Sequence, residues 1–174
     1  MSGLEFNGAA LLCLQAAFVF CICYAVVSDF TRLRIANWIP ATLVVLFLAY
    51  AVLKLDVSAF KAHLLLAAIV FALGFGMFVL GWIGGGDVKL LTALTLWAGP
   101  SHGADLLVMT TLGGGLMAFA LILLRSSTQA RMLMPTAGPF GRIRSFAERG
   151  VCPYGLAMGA AALVALQPMF TSAA

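Results

Sequence analysis

The chain has 174 residues, of which 63% are hydrophobic and 9% are charged, and its mean hydropathy is +1.09. A soluble domain of this length has no core large enough to bury so much apolar surface, so the composition predicts an all-α protein that crosses a membrane several times. The net charge of +4 comes from ten Lys and Arg against six Asp and Glu. No basic stripe is interleaved with aromatic residues, which argues against nucleic acid as a partner.

Six apolar segments have about the length that a membrane-crossing helix needs. A hydrocarbon core about 30 Å thick requires roughly 20 apolar residues of helix. The predicted spans cover residues 8–27, 39–53, 62–82, 88–99, 104–124 and 151–168. The second and fourth are short, so we expect them to extend into flanking residues or to lie in a protein-lined region. The first predicted span is preceded by Glu5 and by no basic residue, whereas a signal peptide begins with a basic region, so we expect this span to be retained. We predict one integral membrane domain over residues 1–174.

The four cysteines of the chain form no C-x-x-C pair. They lie in or at the ends of apolar segments, at Cys13, Cys21, Cys23 and Cys152. This pattern argues against a zinc site or a disulfide framework and favours small buried hydrophobic side chains. We therefore predict that the protein holds no metal and no cofactor.

The arginines predict which ends of the spans face the cytoplasm. Two arginines lie between the first two predicted spans, and residues 125–150 carry five arginines against Glu148 alone. Basic residues in short loops stay on the cytoplasmic side, so we place both segments there. With six spans, this choice puts both termini outside and brings Asp29 and Asp87 to the cytoplasmic side.

Two further patterns concern loops and packing. In the polar segment of residues 125–150, Gly138 and Pro139 favour an irregular course along the membrane surface, near anionic lipid. The glycines within residues 113–115 and 155–159 favour close contacts between helices.

The run Gly84-Gly85-Gly86-Asp87 lies between two apolar segments, and a second acid, Asp29, ends the first apolar segment. Acids inside a membrane are costly, rare and candidates for function. Two aspartates that share one proton can hydrolyse a peptide bond without a metal. The ionised aspartate takes a proton from a water molecule, and the protonated one polarises the carbonyl group.

Each acid also has a structural alternative. Asp87 is a good residue for capping the N-terminus of the next helix, and Asp29 has Arg32 one turn further on as an ionic partner. Intramembrane acids also carry protons, so a proton-coupled transporter or channel subunit is an alternative function. That alternative requires polar residues stacked toward the outer side, whereas the third and fifth predicted spans are almost wholly apolar.

The glycine run precedes the fourth predicted span so closely that its backbone must lie at or below the headgroups. Irregular backbone at that depth is tolerated only beside a wet cavity, where it can pair with an extended peptide. We therefore predict that Gly84, Gly85 and Gly86 bind the substrate. For Lys89, two roles stay open: lowering the pKa of a nearby carboxylate, or reaching the lipid headgroups.

These motifs resemble those of the type IV prepilin peptidases, which are GxGD-type aspartic proteases, and most closely the small form that serves Flp-type pili in tight-adherence (Tad) systems. Where the family commonly has Ile-Pro-Asn, this chain has Ile35-Ala36-Asn37. The matching residues are Asp29 with Arg34, Ile35 and Asn37; Gly84, Gly86, Asp87 and Lys89; and Pro153, Tyr154, Gly155, Ala157 and Gly159.

The resemblance implies an aspartic endopeptidase of the bacterial inner membrane with its active site facing the cytoplasm. Its substrate would be a prepilin, cleaved between a basic leader and a single hydrophobic helix. Asp29 and Asp87 match the two catalytic aspartates, and the glycine run with Lys89 would contact the substrate. The implied partners are the prepilin, the lipid membrane and Tad pilus assembly proteins.

Two further expectations follow from the same resemblance. Larger members of the family carry paired cysteines in an additional N-terminal region and methylate the new amino terminus. Because this chain has no cysteine pairs, we expect hydrolysis without N-methylation. A non-catalytic scaffold of a pilus secretion complex is the remaining alternative.

Overall fold

The structure is a computed structural model that describes residues 3–127, 135 and 137–168, with side chains from residue 8 onward. Within these residues the chain is helical and contains no strand. The helices are α1 (Gly3–Arg32), α2 (Trp38–Lys54), α3 (Val57–Val79), α4 (Gly85–Ser126), α5 (Gly138–Arg149) and α6 (Tyr154–Ala165). The prediction of an all-α polytopic membrane protein is confirmed.

Three described helices are long and apolar enough to cross a membrane: α1 from Gly8, α3 and α4. Helices α2 and α6 are shorter apolar helices. Helix α4 has 42 residues, about twice what one crossing requires. Its length is explained by a break in its middle.

Helix α4 consists of two segments joined at Gly99, whose backbone has φ 57° and ψ −168°. Glycine is the residue that tolerates this conformation, and Pro100 after it lacks the N–H group needed to continue a helix. A Cβ atom at Gly99 would overlap the ring of His63 in α3. His63 Nδ1 donates a hydrogen bond of 2.8 Å to the carbonyl of Leu96, so α3 packs directly on the break.

Both ends of α4 lie at the same end of the helix bundle. At its start, Gly86 packs against Ile35, just beyond α1. At its end, Arg125 lies against the C-terminus of α5. Phe146 in α5 packs edge-on against Phe30 in α1, with ring centroids 5.6 Å apart. Helix α4 therefore runs away from the end of α1 and back, and its two segments correspond to the fourth and fifth predicted spans.

Trp97 joins three helices in the core. Its ring packs against Phe18 of α1, with centroids 4.7 Å apart, and against Phe47 of α2, with centroids 5.9 Å apart. Its indole N–H donates a hydrogen bond of 2.8 Å to the carbonyl of Leu43. All three of these side chains are fully buried, so this bond spares the indole the cost of an unpaired buried donor. The contacts fix the first segment of α4 against α1 and α2.

Helix α6 lies between α1 and the second segment of α4. Gly114 of α4 leaves room for the ring of Tyr154, and Gly159 of α6 leaves room for Val26 of α1. These are the close helix contacts that the glycine clusters predict, and small residues allow them because they let backbones approach.

The expectation of an irregular course for residues 125–150 is wrong for its second half, which forms α5. Pro139 is the second residue of this helix, where its missing N–H costs no intrahelical bond. Phe146 and Ala147 are buried on one face, and Arg144 pairs with Glu148 at 2.9 Å on another. The glycine and proline thus start a helix instead of interrupting one.

Replacement of Gly99 by alanine tests the reversal of α4. The Cβ atom would be strained at positive φ and would overlap His63, so we expect the free energy of unfolding to fall by roughly 2 kcal/mol. Gly115→Ala is the control, because a Cβ at Gly115 meets nothing within 4 Å. Denaturant titration in detergent measures both variants, and equal stability of the two would contradict the proposed role of Gly99.

Candidate active site

Asp29 lies in the last turn of α1 and is 6% exposed. Its Oδ2 atom accepts a hydrogen bond of 2.8 Å from the backbone N–H of Gly155. Gly155 is the second residue of α6, so its N–H has no partner within the helix, and the N-terminus of the helix favours a nearby negative charge. Helix α6 therefore supplies a donor to the buried carboxylate.

The role of Gly155 in this site was not predicted from the sequence. A Cβ atom at this position would lie 2.8 Å from Oδ2, 2.9 Å from Cβ and 3.0 Å from Cγ of Asp29. The approach of α6 to Asp29 therefore requires glycine. The sequence did offer a signal for this role, because Pro153, Tyr154 and Gly155 match the family motif. That match was interpreted as helix packing alone.

Asp87 is the third residue of α4 and is partly buried. The N-cap of this helix is Gly84, so Asp87 is not the cap itself. Its carboxylate accepts a hydrogen bond from the Gly84 backbone, as an acid at the third position does in a capping box. A Cβ atom at Gly84 would lie 2.9 Å from Oδ2 of Asp87, so the glycine permits this close approach.

The two aspartates line the same cavity, which has a volume of about 220 Å³. Their charges are close enough to interact. Because one water occupies about 30 Å³ of liquid volume, the cavity has room for a water and part of a peptide. The remaining lining residues are Leu33, Arg34, Ile35, Gly84 and Gly86.

The alternative role of Asp29 as an ionic partner of Arg32 is not seen. Among the residues that the structure describes, the ion pair is that of Arg144 with Glu148. Asp29 instead faces the Gly155 amide and the cavity. A carboxylate at the cavity without an ionic partner remains available for proton transfer.

The turn between α1 and α2 forms one wall of the cavity. Ser28 Oγ donates a hydrogen bond of 2.8 Å to the carbonyl of Arg34, which draws the turn back over the end of α1. Leu33 has φ 52°, a left-handed conformation that costs a residue other than glycine about 1–2 kcal/mol. Such a strained conformation persists only where the surrounding structure holds it in place, and strained residues of this kind cluster at functional sites.

The predicted substrate contacts divide into two groups. Gly84 and Gly86 line the cavity. Gly85 instead packs against the ring of Phe78 in α3, since a Cβ atom there would lie 3.2 Å from Cε2 of that ring. Lys89 Nζ donates a hydrogen bond of 3.0 Å to Oδ1 of Asn37. The bond ties the first turns of α4 to the turn before α2.

Cys152 is a further ionisable group near the aspartates, and it is half-buried. Burial raises the pKa of its thiol, and the negative charges of Asp29 and Asp87 raise this pKa further. The thiolate is the nucleophilic form of cysteine. Because these surroundings keep Cys152 protonated, it is poorly suited to act as a nucleophile.

The fold and the cavity define a class, namely membrane-spanning, all-helical proteins with two aspartates at one end of the bundle. A family model described as the type IV leader peptidase family matches residues 16–124. Because this match covers more than half of the chain, the protein belongs to that family, and the resemblance drawn from its motifs is confirmed at family level. No curated protein and no solved structure matches this chain. The matched range includes both aspartates and ends before Gly155.

Replacement of Gly155 by alanine tests the contact between α6 and Asp29. The added Cβ would push Asp29 away from its donor, and a displacement of 1 Å at an active site costs on the order of a hundredfold in rate. We expect a loss of that size in peptidase activity with membrane insertion unchanged. Gly76→Ala in α3 is the control, because a Cβ there meets nothing within 4 Å. Wild-type activity in the Gly155 variant would remove this contact from the site.

Replacement of Cys152 by alanine separates the aspartates from the neighbouring thiol. If the thiol takes no part in the chemistry, the variant should keep peptidase activity within about twofold of wild type. The measurement is the initial rate of cleavage by the purified variant. A loss comparable to that of the Gly155 variant would instead assign Cys152 a part in the reaction.

Proposed function

We propose that the protein is an aspartic endopeptidase that removes the basic leader from Flp-type prepilins at the cytoplasmic face of the bacterial inner membrane. The observation that carries the proposal is the shared cavity of Asp29 and Asp87, two residues brought together from different helices. Family membership supports peptidase activity, and the paired acids favour the aspartic type.

The proposed reaction uses the two carboxylates and one water molecule. With one proton between them, the ionised carboxylate accepts a proton from the water while the other donates a hydrogen bond to the scissile carbonyl. The water oxygen attacks the carbonyl carbon to give a tetrahedral intermediate. The C–N bond then breaks, and the proton taken from the water passes to the leaving amine. The Gly155 amide keeps the Asp29 carboxylate oriented throughout, because it bonds Oδ2 at 2.8 Å.

The walls of the cavity suit an extended peptide. Gly84 and Gly86 present backbone without side chains to the cavity, so a peptide can approach the chain closely at these two positions. Leu33 and Ile35 add apolar surface to the lining of the same cavity. We propose that the scissile segment enters this cavity beside the glycine run, which Lys89 holds in place through Asn37.

The distribution of charge supports a cytoplasmic site. Arg34 lines the cavity, and Arg125 lies at the same end of the bundle, against the C-terminus of α5. Positively charged residues near membrane-spanning helices favour the cytoplasmic side. A prepilin whose basic leader remains in the cytosol would therefore present its cleavage site at the correct end.

The proposal covers one integral membrane domain and hydrolysis only. It does not include methyl transfer, because the cysteines of this sequence form no C-x-x-C pair. Besides the prepilin, the proposed partners are the lipid membrane and the assembly proteins of a Tad pilus, to which the mature pilin would pass.

The isosteric variants Asp29→Asn and Asp87→Asn test the proposed chemistry. Each removes a titratable group while keeping the shape, so cleavage should fall by about a thousandfold or more. The assay incubates purified protein in detergent with a precursor pilin and determines the new N-terminus of the product by mass spectrometry. Asp105→Asn is the control, because Asp105 is an exposed acid in the second segment of α4. Full processing by either dyad variant would end the proposal.

A further inference from the structure

Helix α3 carries three aromatic rings that lie next to one another along its surface. The ring centroids of Phe71 and Phe75 are 6.0 Å apart, and those of Phe75 and Phe78 are 6.3 Å apart. The three side chains are 46%, 51% and 45% exposed. We call Phe71, Phe75 and Phe78 the aromatic ladder.

The aromatic ladder occupies one face of α3. Spacings of four and three residues place the rings above one another over about 10 Å, or two helical turns. The neighbouring face packs against α4, where Gly74 receives the side chain of Val88. The aromatic ladder thus lies next to the interface between α3 and α4, and its own rings remain exposed.

The ladder ends at the candidate active site. The ring of Phe78 contacts Gly85, where a Cβ atom would lie 3.2 Å from Cε2. Both neighbours of Gly85, Gly84 and Gly86, line the cavity of the two aspartates. A surface of neighbouring aromatic rings therefore leads from within the membrane-spanning part of α3 directly to the glycine run.

We propose that the aromatic ladder is the docking surface for the hydrophobic helix of the substrate. This inference rests on the proposed function, since a prepilin must place its scissile bond in the cavity while its helix stays in the membrane. The ladder begins beside the cavity and continues for two turns, and residues 64–79 of α3 carry no charged side chain. An apolar helix that leaves the cavity along α3 would contact all three rings.

The physics of membranes favours this kind of surface for a helix. Apolar character alone does not hold two helices together in lipid, so association depends on close van der Waals packing. Neighbouring aromatic rings form a ridged surface with few rotamers to lose on binding. This ridge is already formed in the protein before a substrate arrives.

Photocrosslinking tests docking independently of cleavage. A photoreactive p-benzoylphenylalanine replaces Phe75, and in a matched protein it replaces Leu73, which is 67% exposed and lies on a different face of α3. The probe is a full-length precursor with a single hydrophobic helix, reconstituted with the protein in vesicles. We expect crosslinks to the precursor from position 75 and not from position 73. Crosslinks to lipid alone, or equal crosslinks from both positions, would overturn the proposal.

Kinetics with two substrates provides the second arm. For Phe75→Ala we expect KM for the full-length precursor to rise roughly tenfold, the loss that about 1.4 kcal/mol of contact energy represents. The kcat value, and cleavage of a short peptide without the hydrophobic helix, should not change. Leu73→Ala should match wild type. Equal effects on both substrates, or none, would overturn docking, whereas failure of the wild-type protein to cleave either substrate would overturn the proposed function and leave the crosslinking result standing.

Discussion

The hydrogen bond from the Gly155 amide to the Asp29 carboxylate is the constraint on which the rest of the site depends. A carboxylate that is 6% exposed needs a donor, and the free N–H at the start of α6 provides one. The bond forms only because residue 155 has no side chain. It joins the first and last described helices, and it leaves the other face of Asp29 directed at the cavity.

Asp87 reaches the same cavity through a separate set of contacts. The break at Gly99 returns α4 to the end of the bundle where it began, so both of its ends lie near the last turn of α1. Locally, the contact of Gly86 with Ile35 and the bond from Lys89 to Asn37 hold the first turns of α4 against the turn after α1. The positions of the two acids are therefore set by two separate sets of helix contacts.

A cavity with two acids inside an otherwise apolar bundle explains how hydrolysis and membrane embedding are compatible. The cavity has two acids and space for water, while the surface of α3 beside it is apolar and aromatic. A substrate with a polar leader and a hydrophobic helix has the same division. In the proposed arrangement, each part of the substrate would meet the surface that suits it, and the scissile bond would lie at the boundary.

From the sequence alone, hydropathy determined the helical class and the approximate positions of the apolar helices, because burial in lipid requires apolar helices. Charge and glycine content singled out Asp29 and the run ending in Asp87, since such residues are costly in a membrane without a role. Tertiary structure alone decided the donor role of Gly155, the contact of Gly85 with Phe78 and the bond of Lys89 to Asn37. Two of these contacts join residues far apart in the chain, and all three depend on how helix surfaces fit together, which no local pattern encodes. For the same reason α5 was missed, because its buried face becomes evident only where Phe146 meets Phe30.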